Sequence, residues 1–382
     1  MKLDLGLTES EEMLKKAALD FMRRDVPRDV IKSLQDTDTG CNEELWRKIA
    51  ELGWLGIIIP EQYGGTGNSL TSAGVLYEAL GTGPLPGPHF SSGILGSLVV
   101  LAAGAEEQKQ SLLPKVAQGE IVLTLALTES EYGWEPGAVQ TTAASKNGDF
   151  VINGIKLFTF DAQAATHFIV VARTGPSRGR VDPAKRLSLF LVDSKAPGVS
   201  VRRLPGFLAG RAFEVKLDSV KVPGTALLGE KNKGWPAVKE AMAKAAPVLC
   251  AYKVGGCQTV CELALDYSRT RVQFDMPIGR FQRVQDMIIE MVTHADAARW
   301  TTYEALWKLD TRRPAAESVH LAKAVASEAY WEICTLAHRV FSGVSYSREH
   351  PASFHTRASR ALYHYLGDPA YHRQQLGKLL VG

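Results

Sequence analysis

The chain has 382 residues, 45% of them apolar and 22% charged, with a formal net charge of +3 at pH 7. At roughly 100–200 residues per domain this length makes two or three domains with sizeable cores, and the usage excludes a disordered or fibrous chain. So small and evenly spread a charge excludes a nucleic-acid or membrane-surface protein, and no apolar run reaches the roughly 20 residues that span a bilayer.

The first segment, 1–120, reads as helical. Thr8-Glu9-Ser10-Glu11 is a capping box, in which hydroxyl and carboxylate each satisfy an orphan backbone N–H. Behind it Met13, Ala17 and Phe21, with Leu14, Ala18 and Met22, recur every fourth residue and share one helix face until Pro27 stops the run. A second helix fits Glu43–Leu52, ended by Gly53, and a glycine-rich loop follows at Tyr63–Gly67. Helical spacing resumes at 71–80, 91–103 and 106–118.

Over 121–231 the period changes from four to two. Extended runs fall at 122–126, 149–158, 167–173, 187–193, 199–204 and 213–222, bounded by Gly, Pro or Asp. Asn147-Gly148 and Asn153-Gly154 both favour the positive φ of tight hairpin turns. The pattern predicts an antiparallel barrel or sandwich. From 232 to 382 the chain is helical again, with Pro277, Pro314, Pro351 and Pro369 at positions that suit helix starts or connections. The expected fold is therefore α+β, in the order helices, small β domain, helices.

Several features resemble sites without being specific. The glycines at 64–67 and 81–87 lack the G-x-G-x-x-G spacing of a dinucleotide turn. Cys250, Cys257 and Cys261 share one helix stripe, but no second Cys or His pair with metal spacing accompanies them, so they read as small buried hydrophobes. The nine histidines are scattered, no G-x-S-x-G elbow occurs, and no metal site is expected. Five cysteines, an odd number, fit reduced thiols. Met1-Lys2-Leu3-Asp4-Leu5 lacks the apolar core of a secretion signal. A cytoplasmic location is expected.

Five segments, in register along the whole chain, resemble the acyl-CoA dehydrogenase family. They are Trp54-Leu55-Gly56 through Pro60-Glu61-Gln62-Tyr63-Gly64-Gly65; Ala126-Leu127-Thr128-Glu129; Phe150 to Phe158; Arg271-Val272-Gln273-Phe274 with Pro277-Ile278 and Phe281-Gln282-Arg283-Val284-Gln285; and the tail Gly343 to Glu349 and Gly367 to Arg373. The resemblance implies an N-terminal helical domain (1–120), a central antiparallel β-barrel domain (121–231) and a C-terminal four-helix bundle (232–382). It also implies FAD held between subunits, and α,β-desaturation of an acyl-CoA thioester. In that reaction a glutamate removes the α-proton while the β-hydrogen leaves as hydride. Such chemistry needs a placed carboxylate whose pKa rises on desolvation, and donors that stabilise charge at the thioester carbonyl.

Carried over position by position, much of that machinery is missing. The two places where relatives hold the base are Ala245 and Leu366, and neither takes a proton. Trp134 stands where a pyrophosphate-facing serine is expected, and indole accepts no hydrogen bond. Phe160 stands where a hydroxyl contacts the flavin, with Thr159 adjacent. Arg339-Val340-Phe341-Ser342-Gly343 replaces a Gly-Gly segment at the adenosine end. What persists is Arg271, Gln273, Phe274, Phe281 and Gln282, which in the family reach a neighbouring subunit's FAD, together with Thr128 at the loop opening the β domain.

This pattern predicts the base-lacking partner of a homologous catalytic subunit, as in α2β2 enzymes that act on bulky acyl-CoAs including steroid side chains. FAD would be shared at the interface and electrons passed to an electron-transfer flavoprotein or similar acceptor. Two alternatives stay open: a self-sufficient dehydrogenase with another base, for which Glu240 lies 140° off the required helix face and Glu129 belongs to a strand end, or a flavin monooxygenase-type member that needs no base.

Overall fold

The computed structural model describes residues 6–131, 133–175, 182–206 and 210–381. The five N-terminal residues on which the leader expectation rests lie outside them. In chain order the helices are α1 (Glu9–Asp25), α2 (Arg28–Gln35), α3 (Glu43–Glu51), α4 (Leu70–Gly81), α5 (Ser97–Ala103) and α6 (Glu106–Ala117). The strands are β1 (Leu123–Ala126), β2 (Thr142–Lys146), β3 (Asp149–Phe160), β4 (His167–Arg173), β5 (Leu187–Asp193), β6 (Val199–Arg203), β7 (Ala212–Val222) and β8 (Leu227–Leu228). There follow α7 (Gly234–Thr270), the short strands β9 (Val272–Gln273) and β10 (Met276–Pro277), α8 (Gln282–Asp310), α9 (Ala316–Phe341), α10 (Pro351–Tyr363) and α11 (Pro369–Val381). Contacts divide the chain into two units, Met1–Gln35 with Ser69–Leu85 and Ala246–Gly382, and Asp36–Asn68 with Pro86–Ala245.

The first unit is helical. Its N-terminal helix begins with the expected capping box: the Thr8 hydroxyl accepts from Glu11 N at 3.3 Å, and the Glu11 carboxylate accepts from Thr8 N at 2.9 Å. Pro27 ends α1 as its missing N–H requires, and the same fixed φ starts α2 one residue later, a helix the periodicity did not reveal. Gly81 and Gly255 let α4 and α7 touch backbone to backbone. A Cβ at Gly81 would lie 1.9 Å from the Tyr252 carbonyl oxygen, and one at Gly255 1.9 Å from that of Glu78. The buried Glu78 carboxylate joins three helices, accepting from Lys15 at 2.9 Å, Arg299 at 3.2 Å and Tyr303 Oη at 2.7 Å. Pro351 and Pro369 occupy the first positions of α10 and α11.

The second unit carries the sheet, in the order β6-β7-β3-β2-β4-β5-β8, with β1 pairing on β4. Phe150, Phe168, Phe190 and Phe213 alternate inward along four strands and build its core. The expected antiparallel barrel is corrected in two respects. β1 and β2 run parallel to β4, and among the described residues no pairing joins the edge strands β6 and β8, so the sheet is open and mixed. Asn147-Gly148 makes the predicted tight turn, with φ of 53° and 89°. Asn153-Gly154 does not turn. It lies inside β3 beside a bulge, where Asn153 Oδ1 accepts from Ser219 N at 2.8 Å. A side chain at 154 would strike the Thr141 hydroxyl at 2.3 Å, which explains the glycine there. No helix among the described residues is long and apolar enough to cross a membrane, and all five cysteines are free thiols.

Candidate functional site

Arg271, Gln273 and Phe274 sit on a hairpin that α7 and α8 hold out from the helical unit. The Arg271 N–H continues the last turn of α7 by donating to the Tyr267 carbonyl at 2.9 Å, and the Arg271 carbonyl accepts from Ile278 N at 2.9 Å, closing the hairpin base. Its tip is Phe274-Asp275, both left-handed at φ 52° and 63°. Asn-Gly would adopt that turn without the steric cost these residues bear. The apolar tip is left in the open: Phe274 is 85% exposed, and Val272 and Met276 are exposed beside it. Phe281 caps the start of α8 and meets Phe274 edge to face at 6.0 Å, while Gln282 opens the helix and is exposed. The Gln273 amide turns back onto the Val272 carbonyl at 2.8 Å.

The local field is positive. Arg271, Arg280 and Arg283 are all exposed, and the α8 N-terminus adds its partial positive charge. Arginine's planar fork with five donors matches phosphate oxygens in pairs. Exposed Phe274 and half-buried Phe281 stand beside these guanidinium groups.

Ala245 and Leu366, where the resemblance implies a base, are apolar and enclosed: Ala245 in α7 is fully buried and Leu366 is 1% exposed. Leu366 holds a left-handed backbone at φ 61°, followed by Gly367 at 95°, so a branched residue stands where glycine or asparagine would be unstrained. Nearby, Ser342 has φ 59° and ψ −146°, a region almost confined to glycine. It lies in the Arg339–Gly343 segment, where the resemblance implies glycine.

In the sheet unit, the Thr128 hydroxyl is already used, donating to the Leu157 carbonyl, while Leu157 N donates to the Thr128 carbonyl at 2.8 Å. A bulge at Phe158, φ 55°, shifts the register of β3 against β7. Beyond it Thr159 faces inward, 3% exposed with its Oγ1 unpaired among the described residues, and Phe160 is half-buried on the other face. The hydroxyl of Thr159 is thus enclosed, away from solvent. Trp134 is likewise half-buried.

Glu129 is not a free base. Lys156, fully buried, donates to its carboxylate at 2.7 Å and to the Val171 carbonyl at 2.7 Å, and Thr141 and Gln140 donate to the same carboxylate. Burial alone would raise Glu129, but the Lys156 ammonium and the Thr141 donors more than offset it and hold the group below the usual carboxylate range. Glu240 is exposed and pairs with Lys244 at 2.6 Å.

Two arrangements escaped sequence reasoning. Asp161, at the left-handed end of β3, is raised by burial while accepting from Ser91 at 2.9 Å and Arg211 at 3.2 Å. Lys253 and Lys323 are both fully buried in the helical unit. The signal for the first lysine was its place in the otherwise apolar run 245–257, on the stripe of Cys250 and Cys257. Clefts of about 500 Å³, between Leu19, Val26, Arg28 and Thr82, and about 610 Å³, between Gln163, His167, Asp193 and Lys195, involve none of the residues above.

Comparison with known proteins finds the acyl-CoA dehydrogenase N-terminal domain over residues 8–120, its middle domain over 124–219 and its C-terminal domain over 232–381. A 3-(aryl)acrylate reductase of Clostridium sporogenes is 31% identical over 349 residues, covering 90% of this chain and 91% of that protein. Butyryl-CoA dehydrogenase of Megasphaera elsdenii superposes with a TM-score of 0.91 at 25% identity over all of both chains. A chain of the ChsE4-ChsE5 complex of Mycobacterium tuberculosis shares the fold, with a TM-score of 0.89 at 24% identity over 99% of each.

Proposed function

Because the chain belongs to the acyl-CoA dehydrogenase family, FAD-dependent oxidoreductases acting on acyl-CoA, we propose that it is the base-lacking subunit of a heteromeric member. In this reading it forms an α2β2 assembly with a homologous catalytic subunit and passes electrons to an electron-transfer flavoprotein or a similar acceptor. Its three segments, 1–120, 121–231 and 232–382 with a four-helix bundle, are the family's three domains. The observation that carries the reading is the pair of enclosed, non-ionisable side chains at Ala245 and Leu366. An acyl-CoA α-proton needs a carboxylate within hydrogen-bond reach, and Glu129 and Glu240 are engaged elsewhere.

FAD, when bound, supplies the hydride acceptor. Toward it the chain's residues divide. Trp134, Phe160 and the committed hydroxyl of Thr128 leave this subunit's own cradle poor in acceptors and donors. Arg271, Gln273, Phe274 and Gln282 are exposed and Phe281 is half-buried beside Phe274, a set that suits a dinucleotide carried by the neighbour. Arg271 would bind its diphosphate, the aromatic pair would pack on its ring system, and the two glutamine amides would offer hydrogen bonds. The substrate class is then an acyl-CoA of lipid or steroid side-chain degradation, and the location cytoplasmic.

The test is acyl-CoA-dependent reduction of an artificial electron acceptor, by the isolated chain and by the chain co-expressed with a homologous dehydrogenase subunit that retains the glutamate. Activity confined to the co-expressed complex supports the reading. Acyl-CoA oxidation by the isolated chain refutes it, and oxygen consumption with reduced flavin but no acyl-CoA turnover moves the assignment to the monooxygenase class.

A further inference from the structure

Under the turn after α10, the helical unit buries two amines against neutral partners. Lys253 Nζ donates to Ser327 Oγ at 2.7 Å. Lys323 Nζ donates to the same oxygen at 3.1 Å and to the Gly367 carbonyl at 2.6 Å, with the Tyr363 carbonyl at the margin of reach, 3.5 Å away. Ser327 has already given its own hydrogen to the Lys323 carbonyl at 2.7 Å. Its two lone pairs are therefore shared out, one to each amine.

The neighbouring carbonyl of the turn is held as well. Leu366 O can only accept, so the 2.8 Å contact with His372 Nε2 is a donation from that nitrogen. Neutral His372 then keeps its lone pair at Nδ1, and the 2.9 Å contact there is a donation from His320 Nδ1. Two successive carbonyls, at 366 and 367, are thus clamped by one imidazole chain and one amine pair.

The groups facing the pair are Cys250 and Cys257 on α7, His320 on α9, His364 at the end of α10, Asp368 in the turn and His372 on α11. Asp368 spends an oxygen on Tyr371 N at 2.8 Å, capping α11. The cluster is therefore rich in proton-binding groups and poor in negative charge.

We infer that Lys253 and Lys323 together hold one ammonium and one neutral amine in the folded chain and act as a proton-operated latch on the Tyr363–Gly367 turn. Burial, in Lys323 reinforced by the charge of its neighbour, disfavours a second proton. Burial lowers Lys253 to about 8 and Lys323 further below the ordinary lysine range. Releasing Gly367 from Lys323 admits water to both amines, and each then takes its own proton. Near pH 7 the open turn binds one proton more than the closed one, and more than one as Lys253 titrates near 8, so each unit of acidification favours opening at least about tenfold. This rests on the cluster alone and holds whether or not the flavin reading survives.

Hydrogen exchange on the full-length chain, corrected for intrinsic rates, tests it at amides 363–368, with the strand Leu187–Asp193 as an internal reference. The expected result is an opening equilibrium that falls at least about tenfold from pH 7 to 8 at the turn, with no matching change in the reference strand. Lys323→Met, which removes the amine that gains a proton on opening, flattens that slope. A wild-type slope below about twofold, or an unchanged slope in Lys323→Met, overturns the latch. Should that variant not fold, carbon-13 titration of ε-labelled lysines in the unaltered chain gives the same decision. One buried lysine charged and one neutral at pH 7 supports the proposal, and two charged lysines refute it.

Discussion

Lys156→Met probes the sheet unit at the point where the family-like loop and strand are pinned together. Lys156 is fully buried, and its ammonium gives one bond to Glu129 at 2.7 Å, one to Val171 O at 2.7 Å and one to Leu127 O at 3.2 Å. Methionine fills the same length but leaves the 5%-exposed Glu129 without its counter-charge. Thr141 Oγ1 at 2.7 Å and Gln140 N at 2.8 Å continue to donate. Breaking a buried pair from one side costs about 3–5 kcal/mol, because the remaining ion is desolvated without compensation. In that background Glu129→Gln removes the stranded charge and keeps the acceptor oxygen, so the double variant recovers about 1–3 kcal/mol relative to the sum of the single losses. The assay is urea-dependent hydrogen exchange at amides of β3 to β5, which reports this unit rather than a whole-chain midpoint. A loss below about 1 kcal/mol for Lys156→Met, or strict additivity of the two substitutions, refutes the reasoning.

His355, buried with Nδ1 2.8 Å from Tyr330 Oη, is pushed down to about 3 by burial. The unfolded chain therefore binds the extra proton below an ordinary histidine pKa near 6.5, and stability falls by about 1.4 kcal/mol per pH unit from this residue as pH drops from there toward 3; His355→Gln makes the denaturant midpoint shallower by one proton over pH 6 to 5. Arg271→Ala with Phe274→Ser changes the isolated chain's stability by less than about 0.5 kcal/mol, since both side chains are exposed, yet strips flavin from the co-purified complex, as its absorption spectrum records. Gly81→Ala drives a methyl into the Tyr252 carbonyl at 1.9 Å and costs about 3 kcal/mol of thermal stability.

The sequence was most readable where one local signal dominates. Strands β4 and β5 fall at the residues where alternation placed them, and Asn147-Gly148 turns because both residues tolerate positive φ. Asn153-Gly154 carries the same local signal but yields to the pairing of β3 with β7, where the asparagine caps a bulge and the glycine makes room for Thr141. Sheet closure was not readable, because it depends on which distant strands meet, and the parallel pairings of β1 and β2 on β4 leave no local trace. At Ala245 and Leu366, the absence of an ionisable group is plain from residue type alone. The left-handed turn that carries Leu366, and the amines beneath it, are not. Lys253 and Lys323 lie 70 positions apart, and only folding makes them share one hydroxyl.

The most direct test of the central claim is the flavin content of the purified chain, measured by visible absorption after expression alone in excess FAD and after co-expression with a glutamate-bearing homologous subunit. The account predicts a colourless protein in the first case and a yellow complex in the second, its flavin lost on substitution of Arg271 and Phe274. Stoichiometric FAD in the chain purified alone, bleached by an acyl-CoA without any partner, would contradict it.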